Sequence, residues 1–309
     1  MGNGLDFLVI GAQKAGTTSL WRYLSSHPEV HMPPSKEAPF FSHDQPYGRG
    51  FEWYLEEFFA GAPSEARWGT ATPHYMMGST STAVPEVARR IADQLPEVRL
   101  IALLRDPIDR ARSHHRMSVH RALEQRSFEH AAAELLAAEA LEEGRVAPTE
   151  INSYLVQGEY GRILGAYLER FPPHQLQVAL TQDLERRPAE VLEAIHAFLG
   201  VSVEHVPPDL GAHYHRGGTG RRLDEAAERE LKDYLASEVW PLMPHSREAR
   251  RSFDAWYRSF NVAPDSSTAP PIDPALEVRL RTHYAQDAIR LEELTGLRVP
   301  WLSPTAGRP

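Results

Sequence analysis

Three short stretches carry residue types that could do chemistry on an anion. Gly11-Ala12-Gln13-Lys14-Ala15-Gly16-Thr17-Thr18 joins two glycines, a lysine and two hydroxyls. Placed between a strand and a helix, such a turn aims backbone N–H groups and the positive helix end at one point. Lys14 adds a mobile charge there, and Thr17 and Thr18 add donors. Arg105-Asp106-Pro107-Ile108-Asp109-Arg110-Ala111-Arg112-Ser113 supplies a second anchor. Arg105 and Ser113 could grip one phosphate between them, or Arg105 could pair with Asp106 or Asp109. Lys36-Glu37 then sets an acid, a potential proton acceptor, beside a cation. The lysine position argues against a nucleotide-triphosphatase loop, in which Lys directly precedes Ser or Thr. Here Gly16 takes that place, and no strand-end Asp suited to Mg²⁺ stands out.

The elements that must position these groups follow from hydrophobic patterning. Asp6 to Ile10 is a short apolar run ending at Gly11, as a buried parallel strand would. Thr17 to Ser26 reads as a helix stopped by His27-Pro28. Val98 to Leu104 is a second strand, followed by a helix capped at Asp106-Pro107 and reaching about Arg121. Leu176 to Leu180 is a third strand, Gly69 to Thr72 a short fourth, and Pro188 to Leu199 a helix closed by Gly200. Strands alternating with helices predict an α/β fold: three layers, a central mostly parallel sheet flanked by helices. Residues 127–143 predict helix outside the sheet, within an insertion at about 123–157. After the Pro-rich stretch 264–274, a docking helix is expected over about 274–296. The whole is expected to be one domain, 1–309.

Composition narrows the function classes. The chain has 309 residues, no cysteine and a net charge of −9. Lack of cysteine excludes disulfides, thiolate metal sites and thiol nucleophiles. The acidic balance argues against nucleic acid as a partner. No apolar run approaches the ~20 residues of a membrane helix, so no membrane insertion is expected. The start, MGNGLDFLVI, has neither a basic leader nor a myristoylation pattern, and a cytoplasmic location is expected.

Residues 6–28 (with FLVIGAQKAGTTSLWRYLSSHP) resemble the 5′-phosphosulfate loop of sulfotransferases, and residues 100–113 (LIALLRDPIDRARS) resemble their 3′-phosphate element. The resemblance is to the heparan-sulfate-type branch and its bacterial relatives, and to a P-loop-like fold. Lys36-Glu37-Ala38-Pro39-Phe40-Phe41 is similar to that branch's KExxFF segment, and Gly158-Glu159-Tyr160 and Phe198-Leu199-Gly200-Val201 also fit.

The resemblance implies a donor, 3′-phosphoadenosine-5′-phosphosulfate (PAPS), a product, 3′-phosphoadenosine 5′-phosphate (PAP), and no metal. It implies donor contacts from Gln13, Lys14, Ala15, Gly16, Thr17, Thr18, Arg105, Ser113, Gly220 and Arg221. Lys14 would stabilise the breaking bond and Glu37 would act as base, its carboxylate buried beside Phe40 and Phe41. Lys36, Phe41, His74 and Tyr75 would line the acceptor, a small molecule, lipid or saccharide. Thr219 stands where the family has lysine, and Ala71 where the heparan-type enzymes carry another. The second departure, with the acidic net charge, disfavours a long polyanionic acceptor. His114 and His115, next to Ser113, are further candidates for proton transfer. A nucleotide-triphosphate-dependent kinase and a non-catalytic nucleotide-binding protein are the competing readings.

Overall fold

The computed structural model describes residues 4–211, 220–221, 225–239, 262–263 and 271–302. It divides into a large unit, 1–212 with 271–309, and a small one, 213–270. The large unit is built on five parallel strands: β1 (Phe7–Gly11), β2 (Val30–His31), β3 (Arg67–Ala71), β4 (Arg99–Leu104) and β5 (Leu176–Leu180). Their order is β2-β3-β1-β4-β5. Every residue of β1 is buried, as is β4 from Leu100 to Leu104. That is why both read as continuous apolar runs rather than alternating ones. Since β1 runs between β3 and β4, its carboxyl end opens where the chain turns to either side of the sheet, the crevice in which such folds hold ligands.

Helix α1 (Thr17–Ser25) follows β1. Two helices, α2 (Asp44–Tyr47) and α3 (Phe51–Phe59), precede β3, and α4 (Val84–Gln94) precedes β4. Helix α5 (Pro107–His120) leaves β4, capped by the Asp106 carboxylate, which accepts from the N–H groups of Ile108 and Asp109. Residues 127–143 are helical as expected, but as two helices, α6 (Phe128–Leu135) and α7 (Ala138–Val146). Beyond them come α8 (Tyr160–Leu168), α9 (Thr181–Arg186) and α10 (Pro188–Leu199), the last ended by Gly200 in the left-handed conformation. In the small unit, β6 (Gly220–Arg221) pairs antiparallel with β7 (Val262–Ala263), and α11 spans Glu225–Tyr234. Residues 264–270 of the Pro-rich stretch lie outside the described residues.

The last helix, α12 (Pro274–Thr295), sets Leu276, Leu280 and Tyr284 into a core with Ile108 and Ala111 of α5, Phe128, Ala131 and Leu135 of α6, and Tyr154. Helix α5 is thus packed from behind, which fixes the face it turns toward the loop after β1. Glu159 ties the same region together: its buried carboxylate meets Arg145 of α7 at 2.7 Å, Arg162 of α8 at 2.6 Å and His283 of α12 at 3.3 Å.

Candidate functional site

The loop after β1 is pinned through its backbone. Ala12 N–H donates to the Leu103 carbonyl of β4 (2.8 Å), and Ala15 N–H donates to Ala12 (3.1 Å). The buried Thr181 hydroxyl, at the end of β5, lies 2.6 Å from the Ala15 carbonyl and 3.0 Å from that of Leu104. Ala15 is fully buried, with its N–H and carbonyl both engaged, so it anchors the loop instead of presenting a contact to a ligand as the sequence suggested. Lys14 and Gly16 both turn through positive φ, at 69° and 95°. A glycine tolerates that freely, whereas a lysine gives up roughly 1 kcal/mol. The first turn of α1 carries no acidic residue, and Gly16 makes no side-chain cap. The N–H groups at its start and the positive helix end therefore point outward without a resident acid. Thr17 is buried and Thr18 half-buried at this end, and the buried Oε1 of Gln13 has no hydrogen-bond partner among the described residues.

The Lys14 ammonium sits among like charges. Its pKa is lowered to about 8, first by burial and then by Arg121, Arg116, Arg105 and Lys36. Its side-chain contact among the described residues is the sulfur of Met117, 3.8 Å away. A concentration of cations around a partly buried lysine is what an anion would relieve.

Arg105 belongs to the same group. Its guanidinium donates to the Lys14 carbonyl at 3.4 Å, and its own carbonyl accepts from Tyr160 at 2.9 Å. Asp106 does not pair with it: that carboxylate caps α5 and takes Arg281 at 2.7 Å. Ser113 lies buried on α5, on the helix that also carries Met117.

The other side of the site is formed by residues 35–41 and the end of β3. Ala38 is clamped twice: its N–H donates to Thr72 Oγ1 (3.1 Å), and its carbonyl accepts from the Tyr75 hydroxyl (2.7 Å). The clamp sets Glu37 between Lys36, at 3.2 Å, and His74 Nδ1, at 3.7 Å. Three expectations are corrected here. Phe40 and Phe41 are buried, their rings packed 5.0 Å apart, but Glu37 is not buried beside them; its side chain stays 44% exposed. Phe41 and Tyr75 are fully buried, 5.6 Å apart, and shape the segment from beneath instead of facing an acceptor. His74 and Lys36 do reach the rim; burial lowers the Lys36 pKa, and Glu37 partly restores it.

His114 is fully buried, its Nε2 3.0 Å from Glu150, and burial lowers its pKa to about 4 despite that partner. His115 is bonded to the Arg126 carbonyl at 2.9 Å. Gly220 and Arg221 form β6 of the small unit, and His215 to Thr219 lie outside the described residues. Three neighbours of the site escaped the sequence reading: Thr181, Met117 and Glu150, the last also 3.7 Å from Arg121. Helical spacing from Ser113 points to Met117; nothing local in the sequence marks Thr181 or Glu150.

Among the described residues no group of acidic or histidine side chains could hold a metal ion, and no helix is long and apolar enough to cross a membrane.

A family model described as "Sulfotransferase domain" matches residues 5–215. The chain is 30% identical over 269 residues to the human bifunctional heparan sulfate N-deacetylase/N-sulfotransferase 3, covering 83% of this chain and 29% of that protein. It is 35% identical over 116 residues to the membrane-associated sulfotransferase kil1 of Dictyostelium discoideum, covering 37% and 23%. It therefore spans less than a third of the length of these curated relatives. A crystal structure of a sulfotransferase from Alicyclobacillus acidocaldarius matches with a TM-score of 0.66 and 26% identity over 97% of this chain and 99% of that one. The anion-seeking loop, the arginine beside it and the parallel sheet beneath them are those of an enzyme: the chain belongs to the sulfotransferase family.

Proposed function

We propose that this sulfotransferase takes its sulfuryl group from PAPS, releases PAP, and delivers the group to a hydroxyl or amine of a saccharide, lipid or small molecule. The observation that carries the reading is Lys14, held among four cations beside the uncapped start of α1. The residues fit an anionic donor, because each lacks what the donor brings: the first turn of the helix has no acid, and the ammonium has no carboxylate partner among the described residues. The N–H groups and hydroxyls of Thr17 and Thr18 would hold the 5′-phosphate, and Arg105 with Ser113 the 3′-phosphate. Lys14 would stabilise the charge that grows on the phosphate as its bond to sulfur breaks. Glu37, exposed at the rim, would take the proton that the acceptor loses as its oxygen or nitrogen bonds to sulfur. Lys36 and His74 flank that carboxylate and would orient the acceptor. A cytoplasmic location is part of the proposal, supported by a chain without cysteine.

Calorimetric titration with PAP, and separately with ATP and Mg²⁺, tests the donor. Labelled PAPS offered to amino-sugar oligosaccharides, phenols and lipid alcohols tests the acceptor. PAP is expected to bind without Mg²⁺. Binding of ATP with Mg²⁺ and none of PAP would overturn the reading.

A further inference from the structure

Lys14 has a weak partner in a place where a strong one would do harm. Its ammonium lies 3.8 Å from the Met117 sulfur. Arg105 just after β4, Arg116 on α5, Arg121 at its C-cap, and Lys36 all act against its charge. The nearby acids are engaged elsewhere: Glu37 with Lys36, Glu150 with His114 and Arg121. His114, one turn before Met117 on α5, is neutral near pH 7, its pKa lowered by burial to about 4.

A thioether is polarisable and only a feeble acceptor. A carboxylate at this position would neutralise the lysine and compete with an incoming anion. An alkyl chain would leave a partly buried ammonium with no acceptor among the described residues. Helix α5 carries Ser113 and Met117 one turn apart and is packed from behind by α6 and α12, so the sulfur is delivered to the lysine by a fixed element.

We propose that Met117 is a positioning residue of the donor site: its thioether holds the Lys14 ammonium in place without neutralising it, leaving the charge available to the phosphosulfate. The inference rests on the reading of Lys14 as the donor-binding cation.

The test is PAP affinity measured by calorimetry from about pH 6.5 to about pH 9.5, where linkage makes binding report the lysine's protonation. Guanidinium groups keep their charge over this range, His114 and Glu150 titrate below it, and Lys36, whose pKa burial lowers, is common to all the proteins compared. Wild-type affinity should fall as pH rises through about 8. Met117→Leu keeps the volume and removes the acceptor, and should move that fall about half a pH unit lower, weakening PAP about twofold at about pH 8 and about threefold by about pH 9.5. Met117→Gln supplies a stronger acceptor and should move it higher. Thermal melting without ligand at neutral pH checks that each variant is folded. A mere packing role would alter melting and leave the midpoint where it is. One common midpoint in all three folded proteins would overturn the inference. If Lys14→Ala bound PAP with the wild-type profile, the underlying reading of Lys14 would fall instead; that variant should bind weakly and without the fall.

Discussion

The two sides of the site are made differently. The donor side is backbone: a loop tied to β4 and β5 through Ala12, Ala15 and Thr181, a helix start without an acid, and the Lys14 ammonium, which contacts a thioether. The acceptor side is side chain: Lys36, Glu37 and His74 at a rim, with Glu37 44% exposed and the segment held mainly at Ala38. A cradle of N–H groups is hard to alter by substitution, because every residue type except proline presents the same atoms. A rim of side chains changes with each substitution. The donor half is built to stay constant, and the acceptor half is where specificity can vary.

The largest expected effect tests the donor half. Lys14→Ala should reduce turnover by roughly 10²- to 10³-fold, the scale for removing one preorganised charge-stabilising donor. It should also weaken PAP, since the ammonium acts in both the bound and the reacting state. Turnover of labelled PAPS with an acceptor from the panel measures the first, calorimetry the second.

Glu37→Gln is the matching probe of the acceptor half. Loss of a positioned base should slow transfer by roughly 10²-fold. PAP affinity should hold, because the carboxylate touches Lys36 and His74 and not the loop after β1. A parallel loss of PAP affinity would break the division between the halves.

The same division decided what the sequence could reveal. Elements with strong local signals were legible: the apolar runs of β1 and β4, the Asp106-Pro107 cap, the Gly200 stop. So was the donor loop, because its glycines, lysine and threonines are contiguous. What was hidden is what the fold assembles from afar. Thr181 reaches Ala15 across 166 positions, and Glu150 reaches His114 across 36. Phe41 and Tyr75 misled for the same reason: an aromatic beside a functional motif reads alike whether it faces the ligand or the core. The burial expected of Glu37 failed because the Ala38 clamp turns the two phenylalanines inward and leaves the preceding carboxylate at the surface.

A smaller effect compares the two clamps. Thr181→Val deprives the buried carbonyls of Ala15 and Leu104 of their shared donor, and Tyr75→Phe deprives that of Ala38. Each should cost about 1–3 kcal/mol of stability in denaturant unfolding. The functional consequences should separate. Thr181→Val should weaken PAP, and Tyr75→Phe should slow transfer at unchanged PAP affinity. If both variants weakened PAP equally, the two segments would be one mechanical unit and the contrast between them would dissolve.

The smallest effect concerns a residue between the halves that resembles a catalyst in sequence. Burial keeps His114 neutral, with its pKa lowered to about 4, and outweighs the bond to Glu150; Arg110 and Lys14 push the same way. An unfolded histidine takes its proton near pH 6.5. Between those values the unfolded chain binds the extra proton, so stability falls as pH drops below about 6.5 and levels off below about 4. At pH 5.5 His114 should cost about 1 kcal/mol relative to neutral pH. His196, also fully buried and lowered to about 4 by burial and the neighbouring His27 and His205, should add a similar amount. His114→Phe should remove about half of the combined acid sensitivity, read from denaturant midpoints at pH 7.5 and 5.5. If the variant instead kept the full sensitivity and lost a turnover ionisation near neutral pH, His114 would be carrying protons, and the acceptor half would extend into α5.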